Sequence, residues 1–494
     1  MSVWEEQIER ARGQFLERFA ALGFTVRSST RIYGEIQVPG YDLPIPVEIV
    51  VPNGFPFEKP KVKPTDGSGG ASWHRERDHS LCLWADEETG DLPWVDPGHV
   101  VQRTREWFEK DLQGWPDDPP DLDLERYWPR GEGLVIYEDI SVFVGNEVVL
   151  HREGHGVLRV RPHLRGSRSG KSLRALVVDA GELAVPLRTT EDVLECSGTR
   201  RIQLEWDLSH GRAAAVLITY SRSGLPGLLA LIVTNTNPLE FAAIPAAHCG
   251  PGTIRLRRGP DSEVLADRRV AVVGVGAVGS VAADLLARAG IGRMTLVDDD
   301  VIRPGNCVRH LVDSRYVGWS KVDAVRDWIV QRGLMAATGI ETRRQNLKNP
   351  EETASLLNSH DLVLDATANQ LATALLISGG KALQRLVVSV CLQNDGTMVR
   401  VDRVPLREAE IHAPPVEPAR SSGVELREGG CGDPISPTAM WAVVRAASEA
   451  VAVVCDLLSG RMDSPPSVVA ELPTAAHADM KSADDAPTAS TRPS

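Results

Sequence analysis

The sequence has no apolar run long enough to cross a bilayer. Its N-terminus, Met1-Ser-Val-Trp-Glu-Glu, has no basic segment leading into an apolar one, so neither a membrane span nor a signal peptide is expected. Seven cysteines, an odd number, are spread widely over 494 residues, and no Cys-x-x-Cys pair occurs. That excludes a disulfide framework and a structural zinc site of that type, and it predicts a reducing cytoplasm. No cationic cluster stands out: the net charge is −13 and the basic residues are scattered, so no nucleic-acid partner is expected. There is no internal repeat. What is present is ordinary globular material, 42% hydrophobic and 24% charged, long enough for two to four domains.

Residues 1–130 read as a small α+β unit. Ile8, Phe15, Phe19 and Leu22 have helical spacing, and Gly23 follows as a stop. Alternating segments at Arg31–Val38 and Ile45–Val51 predict strands. Asp96 and Pro97 predict the cap and first position of a helix running toward Leu112. Residues 131–265 hold β-branched runs (Ile140–Leu150, Ala175–Val178, Ala215–Tyr220, Leu228–Asn235) and read as a β-rich or mixed linker domain without visible chemistry. Residues 266–461 alternate strand and helix, which predicts a doubly wound α/β domain. Its last helix is expected from Pro437 to about Ser459, capped by Ser436, with an apolar stripe of Met440, Val443, Val444, Ala447, Val451, Val454 and Leu458. Residues 462–494, rich in Ser, Pro, Ala, Thr and Asp, read as a disordered tail.

Gly274-Val-Gly-Ala-Val-Gly279 follows a predicted strand and opens a predicted helix. Glycines there let phosphates approach backbone N–H groups at a helix N-terminus. Asp298, at the end of the next strand, is placed to hold a ribose. Taken alone, these features fit a nicotinamide or flavin enzyme as well as an ATP-dependent one. The downstream segments favour ATP: Asp298-Asp-Asp300, Asn306-Cys-Val-Arg309, Gly318-Trp-Ser-Lys321 and Leu362-Val-Leu-Asp365. Converging Arg and Lys, with a carboxylate-held Mg²⁺, stabilise the charge that develops on a pyrophosphate leaving group.

In order and spacing, residues 266–460 resemble the ThiF/MoeB/HesA and ubiquitin-activating adenylation family. The resemblance implies an ATP loop at Gly274, Gly276 and Gly279, with Asp298 on the ribose. Asp300 is expected in the same nucleotide-binding set. It also implies Asn306, Arg309 and Lys321 on the phosphates and Asp365 on Mg²⁺. The second acid often found three residues beyond the metal-binding one is Ala368 here. A homodimer is implied as well. Some members complete the site with a partner arginine, and Arg255, Arg257 and Arg258 lie where such a residue would arise; a solvated charge run is the alternative.

Two cysteines have distinctive frames. Cys431 lies in a glycine-rich loop (Gly429, Gly430, Gly432) before the last helix, where a thiolate can capture an acyl group from an adenylate. It is similar to the cysteine before the last helix of autophagy-type activating enzymes. Cys391, Cys455 and Cys307 read as core, and Cys196 and Cys249 have no supporting motif. Cys82 stands between Phe55-Pro-Phe-Glu-Lys-Pro-Lys-Val62 and Trp94-Val-Asp-Pro97. These landmarks resemble a ubiquitin-conjugating domain over residues 1–128. The His-Pro-Asn motif of that family is missing, and His74 and His79 are the nearest candidates to replace its oxyanion donor.

Together the two halves resemble bacterial fusions of a conjugating domain with an adenylating one, as in CBASS antiphage operons. The implied activity is ATP-dependent protein conjugation. A carrier protein's C-terminus, either of a ubiquitin-like protein or of a CBASS nucleotidyltransferase, would be adenylated and captured on Cys431. It would then pass to Cys82 and on to a target amine. The alternatives are a ThiF-like sulfur-carrier adenylase with a degenerate N-terminal domain, in which Cys82 is dispensable, and a carrier-binding adaptor without catalysis.

Overall fold

A computed structural model describes residues 3–70, 72–84, 91–115, 122–163, 172–417 and 438–472. The chain divides into two compact units, residues 1–250 and 251–494.

The first unit opens with α1 (Val3–Ala21), followed by an antiparallel meander of β1 (Thr25–Ser28), β2 (Arg31–Ile36), β3 (Ile45–Val50) and β4 (Lys61–Pro64), and then α2 (Pro97–Gln113). Alternation in β3 buries Ile45, Val47 and Ile49 on one face, where Phe15 and Phe19 of α1 and Val100, Trp107 and Phe108 of α2 cover them. Asp96 caps α2 by accepting from Gly98 N, Pro97 opens it, and Gly114 ends it in the left-handed region. The α+β arrangement expected for this region is present.

The middle region adds β5 (Leu134–Tyr137), β6 (Glu147–Arg152), β7 (Val157–Pro162), β8 (Ser172–Glu182), α3 (Thr190–Cys196), α4 (Arg201–Ser209), β9 (Ala215–Arg222), β10 (Leu225–Thr236), β11 (Leu239–Ile244) and β12 (Ala246–His248). The sheet order is β11-β10-β9-β8-β6-β7-β5-β12. The two edge strands are one segment interrupted at Pro245: β11 pairs with β10, β12 pairs with β5, and Arg130 bridges to Ala243. The sheet therefore curls until its edges meet. Both faces are dry. In β9, Ala215 and Leu217 join the inner cluster, whereas Val216 and Ile218 join the outer one with Leu194, Leu204 and Leu208 of the helices. That explains why β9 reads as a continuous apolar run.

The second unit contains α5 (Pro251–Leu256), α6 (Ser262–Leu265), β13 (Arg269–Val273), α7 (Ala277–Ala289), β14 (Arg293–Val297), α8 (Lys321–Gln331), β15 (Ile340–Arg343), α9 (Pro350–Ser359), β16 (Leu362–Asp365), α10 (Gln370–Leu383), β17 (Leu386–Gln393), β18 (Met398–Val404), α11 (Met440–Ser459) and β19 (Ser467–Glu471). The strand order is β15-β14-β13-β16-β17-β18-β19, parallel through β17 and antiparallel beyond. Val270 and Val272 of β13 face one core while Ala271 and Val273 face the other, as a sheet covered on both sides requires. β13 lies between β14 and β16, so the chain leaves it in opposite directions and opens a crevice at the strands' C-terminal ends.

Three expectations need correction. The second unit begins before residue 266: Leu265 sits in its core, and Arg258 donates to Leu334 O at 2.6 Å. The segment 467–471, expected within a disordered tail, is β19, paired to β18 through Val468↔Val401 and Ala470↔Val399. The last helix begins at Met440, after Ala439 with no side-chain cap, and Val444 of the expected stripe is 42% exposed. Ser436 and Pro437 lie outside the described residues.

Candidate functional site

The crevice is organised by three turns, after β13, β14 and β16. The first is the glycine loop. Gly274 has φ +81°, and a Cβ there would meet Thr367 N and Cα at 2.7 Å. A Cβ on Gly279 would lie 1.8 Å from Gly274 O, so this glycine lets α7 close on the loop. Gly276 is the N-cap of α7; no side chain caps that helix, and open space surrounds the Gly276 Cα. Backbone amides at the head of a 13-residue helix thus face a space that an anion can enter.

The second turn is tied to the first. Asp298 accepts from Val275 N at 2.7 Å through Oδ2 and from Asp300 N at 2.9 Å through Oδ1. Lys321, the first residue of α8, donates to Asp300 Oδ2 at 2.6 Å and is 13% exposed. Burial pushes the Asp300 carboxyl up. The hydrogen bonds from Lys321 and Val301 N, with the charges of Lys321 and Arg303, outweigh it and hold the group below the usual carboxylate range. Asn306 Oδ1 accepts from Arg303 N at 2.9 Å, and Asn306 O accepts from Arg309 N at 2.9 Å. The half-buried Arg309 donates to Thr438 O at 3.5 Å. Thr438 is the first described residue after the stretch that contains Cys431, which lies outside the described residues.

The third turn holds Asp365, 1% exposed. Its Oδ1 accepts from Thr367 N (3.1 Å) and Thr367 Oγ1 (2.8 Å); its Oδ2 accepts from Thr373 Oγ1 (2.6 Å) and Ser389 Oγ (2.8 Å). Mg²⁺ that enters with ATP takes one or two carboxylates, the remaining positions going to phosphate oxygens and water. Asp365 can serve as such a carboxylate once a hydroxyl donor turns away. Ala368, where a second acid was considered, has φ +49° and precedes Asn369, the cap of α10. Among the described residues no group of three or more His, Cys, Asp or Glu is placed to hold a metal ion.

His310 was not singled out by sequence. It is 5% exposed; Nε2 donates to Val275 O at 2.8 Å and Nδ1 accepts from Val312 N at 3.3 Å. It therefore fastens the Arg309 segment to the glycine loop as a neutral imidazole. Its position directly after Arg309 is the single clue in the sequence. Burial, with the nearby Lys321 charge, pushes its pKa down to about 4, against the weaker upward pull of the Val275 carbonyl and Asp298. The unfolded chain binds a proton near pH 6.5 that the folded chain refuses until about pH 4. Stability is therefore complete above about pH 6.5 and falls as pH drops toward 4, by about 3 kcal/mol in all. Urea unfolding of the wild type should show this loss across that window. His310→Gln, which cannot titrate, should show a shallower decline, and parallel curves would refute the assignment.

The residues proposed for the nucleotide lie on these three linked turns, whereas the proposed acyl acceptor Cys431 is outside the described residues. Residues 254–482 match the model of the ThiF family. The second unit is a ThiF-like domain. The match starts within α5 and runs past β19, in accord with the two boundary corrections. The molybdopterin-synthase adenylyltransferase of Escherichia coli is 38% identical over 109 residues, covering 22% of this chain and 42% of that one. The adenylyltransferase and sulfurtransferase uba4 of Neosartorya fischeri is 30% identical over 215 residues, 42% of this chain and 41% of that one. An uncharacterized protein of Sinorhizobium fredii, y4qC, is 39% identical over 127 residues, 24% of this chain and 22% of that one. The chain thus spans less than half the length of these relatives.

In the first unit, Cys82 lies on the return arm of a short hairpin. Arg75 bridges to Leu81, Cys82 N donates to His74 O at 2.8 Å, and Leu81 N donates to Val62 O of β4 at 2.8 Å. His79 is at the turn with φ +66°, and the His74 ring stacks on Trp115 at 3.6 Å. The three landmarks around Cys82 share one core: Leu81, Leu83, Phe55 and Trp94 are buried together, and Trp94 Nε1 donates to Pro56 O at 2.7 Å.

Three of the competing thiols are poorly suited to attack. Burial above all, then the Asp192 carboxylate, raises Cys196 to about 11, and burial with Asp261 raises Cys455 to about 11. Cys391 is likewise pushed up by burial and by Asp402. Thiolate is the reactive form, so each is largely silent at neutral pH.

Among the described residues no helix is long and apolar enough to cross a membrane. Arg258, considered as an arginine donated to a partner, is engaged with Leu334 O of its own chain.

Proposed function

We propose that the chain activates a carrier protein's C-terminus with ATP and conjugates it through two thioesters. The ThiF-like unit binds Mg·ATP with its phosphates at Gly274, Gly276 and Gly279 and its ribose at Asp298. The carrier carboxylate attacks the α-phosphorus, the α–β anhydride bond breaks, and pyrophosphate leaves with Arg309, Lys321 and Asn306 offsetting its charge. Cys431 thiolate attacks the acyl carbon and AMP leaves. Cys82 takes the acyl group by thiol exchange and gives it to a target amine. The observation that carries the first half is the hydrogen-bonded series from Val275 N through Asp298 and Asp300 to Lys321, which links the loop to a cation. A homodimer, a cytoplasmic setting and antiphage defence are part of this reading through the resemblance described above. The carrier is a ubiquitin-like protein or a nucleotidyltransferase of that defence type.

The names of the relatives favour one rival: a sulfur-carrier adenylase in which Cys82 has no role. The two readings part at Cys82→Ala, which abolishes conjugation in the first and changes nothing in the second.

Adenylation is tested by Asp365→Asn, which keeps the shape that Thr373 and Ser389 pack against. Carriers encoded beside the gene supply the substrate. Carrier-dependent ATP–pyrophosphate exchange should fall on the order of a hundredfold while thermal unfolding stays close to wild type. Wild-type exchange in this variant would remove Asp365 from the reaction, and nicotinamide-cofactor binding without ATP binding would remove adenylation altogether.

A further inference from the structure

The middle region grips the hairpin that carries Cys82. Four successive carbonyls on its outgoing arm are all engaged. Ser72 O accepts from Arg188 Nη2 at 2.5 Å, and Arg75 O accepts from the same nitrogen at 3.2 Å. Trp73 O accepts from Tyr127 OH at 2.6 Å and from Arg126. His74 O accepts from Cys82 N at 2.8 Å and from Trp107 Nε1 at 3.0 Å. The Trp73 ring, 7% exposed, leaves the first core and joins that of the middle sheet. There its Nε1 donates to Ala184 O at 3.1 Å, and Arg222 lies over it at 4.3 Å. Arg188 itself rests on the Tyr127 ring at 4.4 Å.

This is more anchoring than a linker needs. A packed apolar face would join two domains without also binding three carbonyls of one loop, those of Ser72, Trp73 and Arg75. The bonds converge on the arm whose His74 carbonyl fixes the Cys82 amide. We infer that Arg188 is a positioning residue for Cys82, and that the middle region serves to hold this thiol in register. The cation suits the task because one charged nitrogen satisfies two carbonyls that point the same way, and bonds to a charged donor are the stronger kind. The inference gains its catalytic meaning from the reading of Cys82 as acyl acceptor, but the grip can be measured without it.

The experiment follows alkylation of the full chain by iodoacetamide, with no ATP and no carrier, scored cysteine by cysteine by mass spectrometry. Cys82 is half-buried in the closed hairpin. Arg188→Ala should loosen the arm and raise Cys82 labelling about tenfold, the effect of one charge-assisted hydrogen bond on a local opening. Cys249, in the same unit but after β12, should keep its wild-type rate. Arg188→Lys, which restores a cationic donor, should recover most of the protection. Trp73→Phe, which removes the bond to Ala184 O but keeps a ring, should act in the same direction with a smaller rise. If Arg188→Ala does not fold, Trp73→Phe is judged by the same measure in its place. An unchanged Cys82 rate, or an equal rise at Cys82 and Cys249, overturns the inference. Loss of carrier conjugation to a target amine in Cys82→Ala, with ATP and carrier present, tests the conjugation reading separately, so either idea can fail while the other stands.

Discussion

Gly279→Ala should destabilise the second unit by about 3 kcal/mol, near the upper end of ordinary overpacking, and should abolish ATP binding. The added methyl would sit 1.8 Å from Gly274 O and 2.9 Å from Gly274 C. Both are backbone atoms, so no side chain can swing aside; α7 must move off the loop or the loop must open. Val275 would move with it, and its N–H and C=O are the bonds to Asp298 and His310. The expected result is thus a lower unfolding midpoint together with no ATP-induced stabilisation. Gly276→Ala is the internal control. Its Cβ meets nothing within 4 Å and its φ is −78°, so folding should be unaffected. The same methyl would occupy the space through which a phosphate reaches the helix amides, and ATP affinity should fall about tenfold or more. Calorimetric titration with thermal unfolding separates the two. Normal ATP binding in both variants would mean that the loop is not the nucleotide site.

Legibility in the sequence followed the physics of each element. The span Arg269–Val273 and the helix Ala277–Ala289 were read to the residue, because glycines bound the loop and the apolar pattern changes period across it. The α2 cap was equally plain, since Asp-Pro at a helix start is local chemistry. The middle region resisted. Its central strand β9 is wet on neither face, so alternation is erased there, and the sheet's closure joins residues far apart in sequence. Even there the sequence carries a local signal: Thr189 and Asp192 form a capping box at the start of α3. β19 was hidden by its neighbours, since Val468 and Val469 are brief apolar residues within a Ser- and Pro-rich stretch. At the site, charged residues in recognisable intervals could be named. His310 and the Ser389 hydroxyl on Asp365 could not, because each acts through a partner distant in sequence.

The order of the two thiols is the second expected result of large size. Cys431 belongs to the unit with the nucleotide crevice, and Cys82 belongs to the other unit, whose described residues include no such loop. Six residues lie between Cys431 and Thr438, whose carbonyl receives Arg309, so the tether of seven Cα–Cα steps is at most about 23–25 Å of extended chain. On the proposed reading, in which Arg309 holds the pyrophosphate, that length would let Cys431 reach the acyl-adenylate. The acyl group should therefore load Cys431 first. With ATP and a cognate carrier, Cys82→Ala should still form a reductant-sensitive adduct, now held on Cys431. Cys431→Ala should form none on either residue, a loss on the order of a thousandfold or more, while pyrophosphate exchange persists. Rescue of that loss by Cys391 is not expected, since burial and Asp402 keep its thiol protonated. If Cys431→Ala charges Cys82 at the normal rate, Cys82 must attack the adenylate directly. The relay would then be wrong even though both thiols and the crevice remained in place.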